Sequence, residues 1–213
     1  MAIFHFNAKI IGRSQGRSAT GAAAYRAGVR IEDTRTGLVF DYTRKRGVDG
    51  AELIAPDGAP LERSAFFCSL ELAEKRSDAQ LLREVEVALP RELTADQMRD
   101  LVRGFVRDQF TANGMVADIA FHHLAGANPH AHILLTLREW LGNGFGLKRR
   151  EWNDRALCEQ WRERWAHHAN TALGDAGHAA RIDHRTLFEQ ADDKQRAGLH
   201  ADAIALDRAP TVH

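Results

Sequence analysis

The residues best suited to chemistry lie in FHHLAGANPHAH, residues 121–132. One residue separates His130 from His132, so in a strand both imidazoles leave the same face. His122 lies across the turn LAGANP. In the run Val116, Asp118, Ala120, His122 it belongs to the polar alternate set, while Ile119 and Phe121 face the other way. Antiparallel pairing of the two strands brings His122, His130 and His132 together. Three nitrogen ligands with open positions describe a catalytic metal site rather than a closed structural one. His123 falls on the opposite face and is not counted as a ligand.

Two further groups complete a reactive set. The chain has two tyrosines, Tyr25 and Tyr42. A phenol has a pKa near 10, so attack at neutral pH needs a base or a metal-polarised target. Tyr25 lies beside a basic loop, whereas Tyr42 reads as a packed aromatic. Glu84 and Glu86 share a face by their spacing, and either can accept a proton or support a metal.

These side chains need a scaffold, and the sequence patterns predict one. Residues 3–10 alternate: Phe4, Phe6, Ala8 and Ile10 on one side, Ile3, His5, Asn7 and Lys9 on the other. That is a half-buried strand. After the loop GRSQGRS, Ser18 offers an N-cap to an Ala-rich helix that ends near Gly28 and carries Tyr25 in its last turns. LVFDY and AELIA read as short strands around the basic turn TRKRG, and ELAEKRSDAQLL reads as a helix. In EVEVALP, Val85, Val87 and Leu89 oppose Glu84, Glu86 and Ala88. Thr94 caps a helix with Met98, Leu101, Val102, Phe105, Val106 and Phe110 at helical spacing, and Gly114 supplies its stop. Residues 115–123 and 130–137 are strands. A long helix over 153–173 carries a core stripe of Leu157, Trp161 and Trp165. The expected fold class is α+β: an antiparallel sheet with helices packed on its apolar face. Its polar face collects His5, Asn7, Glu84, Glu86, His122, His130 and His132. So polar a face is costly to bury and suits the floor of a site.

Composition narrows the class. The 213 residues carry 29 Lys/Arg and 29 Asp/Glu, which argues against an indiscriminate nucleic-acid binder. Basic charge is localised: residues 1–50 hold nine Lys/Arg against four Asp/Glu, and residues 51–100 six against eleven. Smaller basic clusters lie at Lys148-Arg149-Arg150 and around Arg162 and Arg164. Such a surface is compatible with DNA. No stretch approaches a membrane span or a signal peptide. Two cysteines without a CxxC suggest a reducing compartment and no disulfide framework. A single domain over 1–190 is expected, followed by a polar, flexible tail over 191–213.

Several segments together resemble the MobA/MobL (MOBQ) family of plasmid relaxases, including the nicking domains of TraA-type conjugation proteins. They are the opening MAIFHFNAKIIGRSQGRSATGAAAYRAG, REVEVALPREL, GMVADIAFHH, NPHAH, and WRERWAHHANTAL followed by ARIDHRTL. The resemblance implies the HUH endonuclease fold and cleavage of single-stranded DNA at an origin of transfer, with the tyrosine joined to a 5′-phosphate. By position, Tyr25 matches the nucleophile and His122, His130 and His132 the metal triad. Glu86 matches the auxiliary acid, with Glu84 close behind. Arg13, Arg17, Arg26 and Arg30 flank Tyr25 as expected DNA contacts. The implied cofactor is a divalent metal: Mg or Mn by reaction type, with Zn, Co or Ni also suited to imidazole. The implied partners are single-stranded DNA, relaxosome accessory proteins and a type IV secretion coupling protein, in the cytoplasm. Many family members continue into a helicase or primase region, whereas this chain is expected to be an isolated nicking domain. An HUH replication initiator or transposase, and a non-catalytic DNA-binding module, are the alternatives.

Overall fold

Five strands with alternating apolar residues assemble into one antiparallel sheet in the computed structural model, which describes residues 3–206. The chain opens with β1 (Phe6–Gly12) and α1 (Ala19–Ala27), then the ribbon strands β2 (Arg30–Glu32) and β3 (Val39–Asp41). β4 (Val48–Ile54), α2 (Arg63–Ala73), β5 (Gln80–Ala88) and α3 (Ala95–Gln109) follow. The hairpin of β6 (Ala117–His122) and β7 (His130–Thr136) precedes a second ribbon, β8 (Arg138–Trp140) and β9 (Phe145–Lys148). Three helices complete the described residues: α4 (Arg155–Asp175), α5 (Leu187–Arg196) and α6 (His200–Leu206). The main sheet has the order β1-β5-β7-β6-β4. The α+β class expected from the sequence is the class observed.

The alternation decides which face each side chain takes. Phe6, Val85, Val87, Ile119, Phe121, Ala131 and Ile133 pack under α3 and α4, where they meet Phe105, Trp161 and Trp165. Phe105 stands edge-on to Trp165 at 5.2 Å, and Phe110 to Trp161 at 5.1 Å. Each such ring contributes about 1.5–3 kcal/mol of burial. Thr94 and Gln97 form a reciprocal capping box that starts α3.

Helices also cover part of the opposite face. Its alternate set is polar at one end of the strands and apolar at the other. Leu82 continues the Glu84 row and Leu134 the His132 row, and both are buried with Ile11 beneath α1 and α2. Ala19, Ala23 and Ala24 let α1 lie close against α2 and the sheet. The helix that bears Tyr25 is thereby seated on the same face as the histidines.

Four local expectations change. The first strand runs over 6–12 rather than 3–10. The helix expected over 71–82 lies earlier, at Arg63–Ala73, where Phe66, Phe67 and Leu70 supply its apolar side and Glu62 caps it through the amides of Ser64 and Ala65. By Gln80 the chain is already in β5. β2 was not foreseen, because three residues directly after a helix carry no readable period. The stretch from residue 191, expected to be a polar, flexible tail, holds the rest of α5 and then α6. A capping box between Thr186 and Glu189 starts α5, and the helix buries no residue. Residues 207–213 of the expected tail lie outside the described residues. Among the described residues no helix is long and apolar enough to cross a membrane.

Candidate active site

Register alone assembles the histidines. β6 and β7 pair His122 with His130 and Ala120 with His132. β5 pairs Glu86 with His132, and β1 sets Asn7 opposite Glu86 and Lys9 opposite Glu84. The three imidazole rings stand 4.9–5.2 Å apart, and one nitrogen from each lies within 4.8 Å of the others.

In each ring one nitrogen has a partner outside the cluster. His122 Nε2 donates to the Arg26 carbonyl at 2.8 Å. His130 Nδ1 donates to the Asn128 carbonyl at 2.9 Å. His132 Nδ1 lies 2.9 Å from Glu84 Oε1. Outer partners of this kind fix tautomer and orientation in metal-binding histidines. They leave His122 Nδ1 and the Nε2 atoms of His130 and His132 for a metal, so the residues present fit a divalent cation. Burial holds the conjugate acid of His122 down at about 4, with Lys45, His132 and His130 adding to the effect against the Arg26 carbonyl. Burial also lowers His132, opposed by Glu84. Neutral rings are the form that ligates.

The two glutamates differ sharply. Glu84 is 1% exposed and meets Arg26 Nε at 2.6 Å, His132 Nδ1 at 2.9 Å and Lys9 Nζ at 3.1 Å. Burial pushes its pKa up, but His132, Arg26 and Lys9 outweigh burial and hold it at about 2. A carboxylate so committed orients His132 and is a poor proton acceptor. Glu86 is 29% exposed, with one oxygen 3.8 Å from His132 Nδ1.

Tyr25 is 43% exposed in the last turn of α1. Tyr42 meets its ring edge-on at 5.1 Å, and Lys45 Nζ sits 3.8 Å from the ring centre and 2.8 Å from the Tyr25 carbonyl. Arg26 joins this helix to the site twice: its carbonyl bonds His122, and its guanidinium pairs with Glu84. Gly28 ends the helix at φ 66°, where only glycine is unstrained. Lys45 was missed from sequence, and the basic turn TRKRG was the signal that held it. His123 is not in the triad: at φ 53° it leaves the strand, and its ring covers Gly47, where a Cβ would stand 2.3 Å from it.

The four arginines separate. Arg13 donates from all three guanidinium nitrogens to Glu71 and to the carbonyls of Glu71, Glu74 and Arg76. Those five bonds use its five N–H groups and tie the start of the Tyr25 loop to α2. Arg26 belongs to the site itself. Arg30 is an exposed β2 residue 3.5 Å from Glu32. Arg17 is exposed and has no ion-pair partner among the described residues.

Comparison with known proteins fits this geometry. "Mobilization protein MobL" of Acidithiobacillus ferridurans is 44% identical over 87% of this chain and 58% of its own length. "Conjugal transfer protein TraA" of Agrobacterium fabrum is 36% identical over 96% of this chain and 22% of its own. The chain thus spans less than two thirds of either relative. A solved structure described as "Molecular Basis of Vancomycin Resistance Transfer in Staphylococcus aureus" superposes with a TM-score of 0.81 at 30% identity, covering 86% of this chain and 99% of that one. The MobA/MobL family profile matches residues 17–206, and the chain belongs to the MobA/MobL family.

Proposed function

We propose that this chain is the nicking domain of a plasmid-mobilisation relaxase, a strand- and site-specific transferase acting on single-stranded DNA at an origin of transfer. The observation that carries this reading is the junction at Arg26. The residue after Tyr25 is bonded both to a triad histidine and to the carboxylate behind another. A nucleophile and three convergent imidazoles are held as one unit, with open solvent beside them.

The chemistry assigns each residue a task. A divalent cation held by His122, His130 and His132 would neutralise charge on the non-bridging oxygens of the scissile phosphate. The Tyr25 oxygen forms the new bond to phosphorus while the bond from phosphorus to the 3′-oxygen breaks. The phenol's proton passes to Glu86, and the 3′-oxygen takes up a proton from solvent water as it leaves. Glu84 keeps His132 in its ligating tautomer. Lys45 and Tyr42 hold the Tyr25 ring, and the Lys45 ammonium favours the charge that develops on the phenol oxygen. The product is a phosphotyrosine diester, so the reverse reaction reseals the strand without a nucleotide. Mg or Mn is the proposed ion. Cytoplasmic plasmid DNA, relaxosome accessory proteins and a type IV coupling protein are the proposed partners.

The test uses single-stranded oligonucleotides tiled across the transfer origin of a plasmid bearing this gene, with Mn²⁺ or EDTA, followed by denaturing electrophoresis. A metal-dependent covalent adduct at one position is expected. Absence of any adduct refutes a nickase, and cutting at a replication origin instead assigns an initiator.

A further inference from the structure

A cleft of about 560 Å³ opens along the exposed face of α1, outside the histidine cluster. Its floor is Ser18, Gly21, Ala22 and Tyr25, which share one side of the helix by their spacing. Leu38, Phe40 and Tyr42 line it as well, with Arg17 and with Arg35, whose Nε lies 3.3 Å from Glu71 Oε2. Tyr25, Arg26 and Glu84 also line it, so the cleft runs directly into the nucleophile.

The lining is unusual for plain surface. Leu38 is 58% exposed beside the exposed Arg17. Phe40 is half-buried, and Gly21 lets its ring approach the helix: a Cβ at that position would meet the ring at 3.1 Å. The lining is also preformed. Buried Asp33 accepts from Thr20 Oγ1 at 2.7 Å and from the amides of Arg35 at 2.9 Å and Thr36 at 3.1 Å. Aromatic and apolar side chains beside guanidinium groups match a nucleotide, with its flat base and its phosphate. The volume falls within the about 300–1,000 Å³ of small-molecule sites.

We propose that this cleft holds the first nucleotide on the 3′ side of the nick, the one whose 5′-phosphate Tyr25 takes up. The proposal rests on the nickase reading above. In-line displacement places the leaving 3′-oxygen, and the nucleotide that carries it, across phosphorus from Tyr25. A cleft that extends on the tyrosine's own side is therefore open to the nucleotide that stays attached. Its base stacks along Phe40 and Leu38, and its 3′-phosphate meets Arg17 and Arg35. Retaining that nucleotide after cleavage keeps the phosphotyrosine aligned for resealing.

The experiment places 2-aminopurine at the first downstream position of the strand found to be cut, and purifies the wild-type covalent adduct. Stacking in the cleft quenches the fluorophore, so the native adduct is expected to be at least twofold dimmer than the same adduct after proteolysis. Phe40→Leu, and separately the surface pair Arg17→Ala with Leu38→Ala, should relieve the quench in the purified adduct of each variant, whatever its yield. The second variant keeps the test decisive should Phe40→Leu unfold the ribbon. Equal brightness before and after proteolysis overturns the subsite, as does a quench unchanged in the surface pair. Quenching of a probe on the upstream side that responds to these substitutions assigns the cleft to the leaving strand and overturns the proposal. If no strand forms an adduct, the nickase reading fails and the subsite falls with it.

Discussion

The two faces of the central sheet share strands and differ in what they demand of sequence. Under α3 and α4 the inward positions are apolar apart from Arg83, whose guanidinium lies 5.1 Å from the centre of the Trp161 ring, and neighbours such as Val85 and Ile133 require only size and shape. On the other face, one residue along each strand, Glu84 and His132 each need a particular partner at a particular distance. The first face tolerates exchange among hydrophobes of like volume. The second loses its chemistry when a single atom is changed. Along β5, Val85 and Val87 thus serve the packed core while their neighbours Glu84 and Glu86 face the histidines.

Tyr25→Phe should break the comparison most visibly on the reactive side. Adduct formation should vanish while the thermal midpoint and single-strand binding stay near wild type, as read by electrophoresis, calorimetry and anisotropy. A surviving adduct would move the nucleophile to Tyr42.

Trp165→Ala is the opposite case. It should cost about 3–5 kcal/mol of stability yet leave the nicking rate per folded molecule unchanged, measured by denaturant titration beside single-turnover cleavage. A selective loss of rate at intact stability would show that the faces are not separable.

The glutamates sharpen the contrast within one face. Glu86→Gln should slow single-turnover cleavage by about 10²–10⁴-fold without weakening metal binding. Glu84→Gln should instead weaken the metal by about 10–100-fold, with the rate recovering at saturating metal. Reversal of that pattern would make Glu84 the base. The pH dependence of stability should distinguish them too. Glu84 is depressed to about 2, so its contribution is complete above the ordinary glutamate value of about 4.3. It is lost as pH falls from there toward 2, and Glu84→Gln should flatten that limb.

The smallest effect separates two arginines of one loop. Arg17→Ala should reduce the slope of log affinity against log salt by about 0.7 for each phosphate that Arg17 neutralises. Arg13→Ala should leave the slope alone and lower stability, because its donors are all engaged within the protein. A change of slope in Arg13→Ala would return it to the DNA track.

Strand alternation made the histidine triad legible, because same-face spacing survives folding unchanged. Ser18 and Gly28 likewise mark the ends of the Tyr25 helix in the sequence itself. What escaped was long-range. Arg13 resembles any basic loop residue until Glu71, 58 positions away, takes its charge. Lys45 gains meaning only when β4 brings its turn back over α1. The cover on half of the polar face followed from Leu82 and Leu134, whose alternation was visible but whose neighbours across the sheet were not.

The last turn of α1 ends in three carbonyls served by four donors. The amides of Gly28 and Val29 take Ala24, Lys45 Nζ takes Tyr25, and His122 takes Arg26. A nine-residue helix is marginal by itself, so this end persists only while those donors remain in place. Order at the helix end and order in the imidazole cluster are thus one equilibrium, and coupling of that kind is reciprocal. Adding Mn²⁺ should slow deuterium uptake at the Gly28 and Val29 amides, more than at amides in the middle of α4. In His122→Ala that slowing should disappear. Equal uptake with and without the ion in the wild-type chain would show that helix end and cluster open independently.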